Sequence, residues 1–104
     1  MRRHILVVLT NAVQGCDEQY NTWYDETHLA DVLQLDGFVA AHRYKLADAQ
    51  MLGRGPYEYL AIYEIESDEP QQALDALRAA APGMTISDAL DVKNLAVWTF
   101  APLS

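Results

Sequence analysis

The residues best suited to chemistry lie in one ten-residue stretch, WYDETHLADV, at positions 23 to 32. If the stretch is helical, Tyr24 and His28 are four residues apart and share one face, and Asp31 lies between them on the helical wheel. A carboxylate that accepts a hydrogen bond from one imidazole nitrogen fixes the tautomer and leaves the other nitrogen available as a base. The stretch therefore predicts a catalytic group in which Asp31 holds His28 as the base and Tyr24 supplies a phenol.

Each of these residues also has a purely structural interpretation. His28 could cap the end of the helix or stand half-exposed, and Asp31 could accept a hydrogen bond from a backbone amide nearby. Tyr24 and Trp23 could be ordinary core residues, since aromatic side chains dominate protein cores. The sequence leaves an enzyme and a non-catalytic binder or accessory protein open as two classes of function.

The elements that must position these residues follow from hydrophobic periodicity. A helix is predicted over residues 16–35, and Gly37 suits the left-handed position that follows a helix end. A second helix is predicted over residues 67–81, with Ser67 and Asp68 as candidate caps and a proline in its first turn. Strands are predicted over residues 3–10, 38–46, 57–66 and 92–101. The order βαββαβ predicts an α+β, ferredoxin-like single domain over residues 1–104, with two helices on one face of a four-stranded antiparallel sheet.

The second and third strands supply the other candidate site residues. His42 and Arg43 are consecutive, so they point to opposite faces and only one can reach a given pocket. Arg43 suits a substrate carboxylate or enolate, and it equally suits an ion pair between subunits. The predicted substrate-binding residues are Arg43, His42, Tyr20, Tyr59, Tyr63 and Trp23, although core packing also explains the aromatic ones.

Composition excludes several classes of function. Fifteen acidic residues against seven basic ones give a net charge of -8, which disfavours nucleic acid and anionic membrane surfaces. The longest apolar run, residues 5–9, is too short for a signal peptide or a membrane span, so a cytoplasmic protein is expected. A lone cysteine, Cys16, forms no internal disulfide, and no Cys/His spacing predicts a metal site.

The first strand is apolar on both sides, whereas two helices cover only one face of a sheet. A second copy of the sheet is the economical cover for the other face. The sequence therefore predicts a homodimer.

The run Trp-Tyr-Asp-Glu-x-His, followed by the Gly-Phe that begins the next strand, resembles the EthD-like branch of the dimeric α+β-barrel superfamily. The resemblance extends from about residue 5 to residue 100. It departs from the family pattern at Ala30 and Asp36, where relatives commonly carry proline. It implies a pocket between the sheet and the helices, or near the dimer seam, with the first helix as one wall.

No Ser/His/Asp triad, metal cluster or nucleotide-binding loop can be assembled from this sequence. The remaining chemistry is proton transfer by an imidazole on a compact organic molecule. We therefore expect a cofactor-independent lyase or isomerase that cyclises, dehydrates or isomerises a small aromatic or enolisable carbonyl compound. The alternatives are a cofactor-free monooxygenase of the same superfamily, a non-catalytic small-molecule binder, and a haem protein with a histidine as axial ligand.

Overall fold

The computed structural model describes residues 3–104. Its order of elements confirms the predicted βαββαβ fold. The elements are β1 (Arg3–Thr10), α1 (Asp17–Trp23), a π-helical turn (Tyr24–His28), α2 (Leu29–Leu33), β2 (Phe38–Lys45), β3 (Tyr59–Glu66), α3 (Pro70–Ala80), a 3₁₀ turn (Ala81–Gly83) and β4 (Ala96–Phe100).

The four strands form one antiparallel sheet in the order β2-β3-β1-β4. The inward-facing positions of β1 and β3 are directly opposite each other, for example Leu6 opposite Tyr63 and Thr10 opposite Tyr59. These residues pack against the helices to form one hydrophobic core. Its buried members are Leu6, Tyr20, Trp23, Tyr24, Val32, Phe38, Tyr59, Ala61, Tyr63, Ile65, Ala73 and Ala89.

The first helical segment is not a regular α-helix. The backbone N–H of Leu29 bonds to the carbonyl oxygen of Tyr24, five residues earlier, so one extra residue is accommodated between α1 and α2. The segment ends before Gly37, whose φ of +94° places it in the left-handed region as predicted. The helical segment extends over residues 17–33, close to the predicted helix over residues 16–35.

A β-bulge in β2 changes which side chains face the helices. Phe38 is opposite Ile65 while Ala40 is opposite Glu64, so Val39 is an extra residue in the strand. The strict alternation expected from the sequence places Phe38 and His42 on one face, and the bulge breaks that alternation. As a result, Arg43 shares the helix-facing side with Phe38, and His42 lies on the opposite side.

The remaining boundaries differ from the predictions where side chains bond to the backbone. β4 begins at Ala96 rather than at residue 92, because the Asp91 carboxylate accepts bonds from the Lys93 amide and the Asn94 side chain and closes a turn. α3 begins at Pro70, after Ser67 accepts a bond from the Glu69 amide. β3 begins at residue 59 rather than at residue 57.

The outer face of the sheet is apolar and uncovered in a single chain. Trp98 lies opposite Val7 and is 57% exposed, and Phe100 lies opposite Ile5 and is also exposed. At one end of this face, Arg3 forms ion pairs with the carboxylates of Glu64 and Glu66. Within the described residues, no helix is long and apolar enough to cross a bilayer.

Candidate active site

A cavity of about 290 Å³ lies between the first helical segment and the sheet. Its lining is almost entirely apolar. The side chains with polar atoms are those of Thr10, Trp23, Tyr24, His28 and Tyr63. The full lining is Leu6, Val8, Thr10, Trp23, Tyr24, His28, Val32, Tyr63, Leu77, Ala81, Met84, Ile86, Leu90, Leu95 and Val97. The volume approaches the lower end of the range typical of small-molecule sites.

The π-helical turn places the aromatic and imidazole rings together on the cavity wall. In a regular α-helix, residues five apart point about 140° away from each other. Here the turn contains an extra residue, and the rings of Trp23 and His28 stack with their centres 4.8 Å apart. The Tyr24 ring meets the imidazole edge-on at 5.1 Å. Single-turn π segments occur frequently at functional sites, which agrees with this arrangement.

His28 is a neutral base candidate. Its Nδ1 atom is buried and has no hydrogen-bond partner among residues 3–104. Burial lowers the pKa of His28 below its usual value, and the nearby Asp31 carboxylate offsets this effect only in part. The imidazole is therefore uncharged at neutral pH and can accept a proton.

The predicted hydrogen bond between Asp31 and His28 is absent. Nδ1 of His28 is unpartnered, and Asp31 does not line the cavity. Asp31 acts on the imidazole only through its charge, which raises the pKa of His28.

Tyr24 and Tyr63 form a hydrogen-bonded pair of phenols at the cavity. The Tyr63 hydroxyl donates to the Tyr24 hydroxyl at 3.3 Å, which leaves the Tyr24 O–H free to donate to a ligand. Burial raises the pKa of Tyr63 to about 12, and it raises the pKa of Tyr24 still further. Both phenols therefore stay protonated at neutral pH and serve as hydrogen-bond donors.

Arg43 is on the helix side of the sheet but does not line the cavity, contrary to its predicted role in substrate binding. Its guanidinium carbon lies 4.4 Å from the centre of the Tyr24 ring and also contacts the rings of Tyr20 and Tyr59. Two of its nitrogens donate to the carboxylate of Asp25 at 2.7 Å and to the side-chain oxygen of Asn21 at 2.8 Å. Arg43 therefore joins β2 to α1 and borders a separate polar depression near the sheet edge.

Three other predicted binding residues also lie outside the cavity. His42 is on the outer face of the sheet, where its Nε2 is 3.0 Å from the Glu64 carboxylate. Tyr20 bonds to the Thr10 hydroxyl, and Tyr59 donates to the Asp17 carboxylate at 2.6 Å. Of the nine predicted site residues, His28, Tyr24, Trp23 and Tyr63 line the cavity, and Asp31, Arg43, His42, Tyr20 and Tyr59 do not.

Sequence reasoning missed the wall formed by residues 77–97. Met84, Ile86, Leu90 and Leu95 lie between regular elements, so no periodicity marks them as lining a pocket. The segment is attached to the first helix because the Trp23 indole N–H donates to the Thr85 carbonyl at 2.8 Å. The pattern of the sequence carries no signal for this long-range contact.

Two further findings limit the site to this cavity. A larger groove of about 650 Å³ on the outer side of α1 is open to solvent and is lined mainly by polar side chains such as Glu18, Thr22 and Glu26. Within residues 3–104, no group of three or more His, Cys, Asp and Glu side chains is placed to hold a metal ion. The cavity at His28 combines a largely apolar wall with an imidazole.

Comparisons with known proteins establish the fold. No family model matches the sequence, and no curated protein matches it significantly. Among solved structures, a dimeric ferredoxin-like protein of unknown function from Jannaschia sp. CCS1 has a TM-score of 0.66 at 13% identity, covering 94% of this chain and 97% of that one.

Two more structures share the fold. The heme-degrader MhuD from Mycobacterium tuberculosis, with two hemes bound in its active site, has a TM-score of 0.64 at 16% identity, covering 97% of this chain and 96% of that one. An ethyl tert-butyl ether d (EthD) family protein from Bacillus halodurans has a TM-score of 0.60 at 11% identity, covering 95% and 96%. The fold seen in EthD proteins is thus the fold of this chain, as the resemblance implied, while at these identities the activity does not follow.

Proposed function

We propose that this chain is a small cofactor-independent enzyme of the lyase or isomerase type, acting on an enolisable carbonyl compound by proton transfer. The observation that supports the proposal is a half-buried imidazole at the wall of an apolar cavity, with its Nδ1 buried and unpartnered among residues 3–104, beside a phenol with a free O–H. Perturbed titratable groups in a cleft are typical of active sites.

The proposed reaction begins with the substrate carbonyl accepting a hydrogen bond from the Tyr24 O–H. The neutral His28 imidazole removes a proton from the carbon next to that carbonyl, and the electron pair moves onto the carbonyl oxygen as an enolate. Tyr24, itself receiving a bond from Tyr63, stabilises the developing oxyanion. The nearby Asp31 charge favours the imidazolium that forms.

The enolate then has three outcomes that need no cofactor. Return of the proton from His28 to another carbon of the conjugated system gives an isomer. Expulsion of a β-hydroxyl group, which takes the proton from the His28 imidazolium and leaves as water, gives dehydration. Attack of the enolate carbon on a second carbonyl, whose oxygen takes that proton, gives cyclisation. Reaction of the carbanion with oxygen is the monooxygenase alternative, which oxygen consumption would reveal.

Haem binding is a poor fit to the residues present. A histidine at the wall of a cavity can serve as an axial ligand, and MhuD of the same fold binds hemes. However, the propionates of haem carry negative charge, and the cavity lining contains no Lys or Arg. The cavity is also much smaller than the macrocycle requires, so we do not assign haem to this site.

For assembly we propose a homodimer in the cytoplasm. The apolar outer face of the sheet, with Trp98 and Phe100 exposed, is the surface that a second copy would cover. The Jannaschia protein of the same fold is described as dimeric, which supports the same assembly for this chain.

The proposal is tested by deuterium exchange, which requires no knowledge of the natural substrate. Acetophenone is incubated with the protein in D₂O, and loss of its methyl proton signal is followed by NMR. The wild-type protein should accelerate exchange, and His28→Gln should lower the rate by about 100-fold or more, the usual contribution of a general base. The matched control is His42→Gln, which changes a histidine on the outer face and should keep the wild-type rate.

The non-catalytic alternative predicts a different pattern. If His28 is only structural, no acceleration is seen in any variant, and His28→Ala loses about 1–3 kcal/mol of stability because the packing of its ring against Trp23 and Tyr24 is lost. Equal acceleration by wild type and His28→Gln would disprove the role of His28 as the base.

A further inference from the structure

We infer that the cavity at His28 selects uncharged ligands, specifically compounds with one carbonyl and an apolar body of at most about two fused rings. This inference rests on the proposed function, and it names the substrate class of that site. It goes against the role for Arg43 as a carboxylate-binding residue that its strand position suggested.

The lining of the cavity carries no formally charged side chain. None of the fifteen residues around the cavity is Lys, Arg, Asp or Glu. A carboxylate leaving water for such a site would lose its hydration without gaining a paired cation, which is strongly unfavourable. A neutral ketone loses far less, because its single oxygen needs only one donor.

Arg43 is already occupied by contacts within the protein. Its guanidinium is enclosed by three tyrosine rings and donates to Asp25 and Asn21, and its side chain is only 13% exposed. The Tyr24 ring contacts both the cavity and this guanidinium. A substrate anion in the cavity therefore has no direct path to the charge of Arg43.

Few polar groups at the cavity are free to bind a ligand. The Thr10 hydroxyl is paired with Tyr20, the Tyr63 hydroxyl donates to Tyr24, and the Trp23 indole N–H donates to Thr85. The Tyr24 O–H and the imidazole of His28 remain for a ligand. One donor and one base match one carbonyl and the carbon beside it.

The size of the cavity sets the upper limit. An engineered cavity of about 150 Å³ in another protein stays dry and binds benzene. The cavity at His28 has about 290 Å³, roughly twice that volume. One aromatic ring with an acetyl group fits readily, and two fused rings approach the limit.

The test uses two isosteric pairs, acetophenone with benzoate and 2-acetylnaphthalene with 2-naphthoate, in which a methyl ketone is replaced by a carboxylate. Binding is measured at pH 7.5 by NMR titration, with the ring signals of His28 and the indole signal of Trp23 as reporters of this cavity. We expect the ketones to shift these signals and to bind at least 30-fold more tightly than the matched carboxylates. Arg43→Met, measured below its melting transition, should leave this ratio unchanged.

Several outcomes would overturn the inference. Carboxylates that bind as tightly as the ketones, with a rise in the pKa of His28, would show that the imidazolium serves as their cation. A ketone preference that is lost in Arg43→Met would return Arg43 to the binding site. Failure of both ketones to shift the His28 and Trp23 signals up to their solubility limit would refute the ligand class.

The same ketones separate this inference from the proposed function. Ketones that bind selectively without any acceleration of deuterium exchange would confirm the ligand class and refute catalysis. Exchange that occurs normally and is inhibited by benzoate as strongly as by a matched neutral competitor would support catalysis and refute the selectivity.

Discussion

Replacement of Arg43 by methionine tests whether this side chain stabilises the fold rather than binding substrate. Methionine keeps an unbranched apolar side chain of similar length and removes the charge and the donors. In the structure Arg43 contacts the rings of three tyrosines and donates to Asn21 and Asp25, so that β2 is tied to α1 at several points.

The expected loss follows from these contacts. A cation over aromatic rings contributes up to about 2 kcal/mol when it is removed from solvent, and a hydrogen bond from a charged donor contributes about 1.5–3 kcal/mol. The ion pair with Asp25 adds less than about 1 kcal/mol, because that carboxylate is 59% exposed and screened by water. After the desolvation of the guanidinium is deducted, we expect a net loss of about 3 kcal/mol, which lowers the melting temperature of a domain of this size by roughly 15 °C.

The assay is urea unfolding followed by circular dichroism, with two comparison variants. Arg78→Met changes an exposed arginine on α3 and should cost less than about 1 kcal/mol. Asp25→Asn should also cost less than about 1 kcal/mol, since the rings and Asn21 still hold Arg43. A loss below 1 kcal/mol for Arg43→Met, or an equal loss for Asp25→Asn, would refute the assignment of Arg43 to the fold.

Three further predictions concern other parts of the molecule. Because the pKa of His28 is lowered in the folded state, the unfolded chain binds a proton at a higher pH than the folded chain does. The free energy of unfolding should therefore fall as the pH drops from about 6.5 through that lower pKa. Urea unfolding across this range should show a shallower fall for His28→Gln. Gly37→Ala should cost about 2 kcal/mol in urea unfolding, because φ of Gly37 is +94° and the new Cβ would lie 3.1 Å from the Cβ of Ala73. Gly15→Ala should cost less, because Gly15 has a similar φ but open space around it. In sedimentation, the wild-type protein should be a dimer of 11.7 kDa chains, and Trp98→Glu on the outer face should convert it to the monomer. Leu52→Glu in the exposed loop should leave the dimer intact. A monomeric wild type would refute the homodimer.

The fold could be predicted because its elements are set by local patterns. The apolar run of β1, the alternation of β3 and the helix-stopping Gly37 each act over a few residues, and their order restricts the topology to a small number of folds. The core positions of Tyr20, Trp23 and Tyr63 follow from the same periodicity.

The site could be predicted only in part, because two local irregularities shift side chains to other directions. The extra residue in the π-helical turn brings Trp23 over His28. Asp31 makes no hydrogen bond to the imidazole, whose Nδ1 has no partner among residues 3–104. The sequence left open which of His42 and Arg43 faces the helices, and the extra residue of the bulge in β2 puts Arg43 on the helix side together with Phe38. Neither irregularity has a sequence signature, since each depends on how the tertiary core accommodates one residue more than the regular repeat allows.

His28 is proposed to be a neutral imidazole at the wall of an apolar cavity, available to a ligand. The most direct test of this proposal is an NMR titration of the His28 ring in the wild-type protein, with and without acetophenone. We expect a pKa of His28 below the value of about 6.5 typical of an exposed histidine, and ring signals that move when the ketone binds. A pKa at or above that value, together with ring signals that do not respond to the ketone, would show that His28 is not a neutral base open to this ligand.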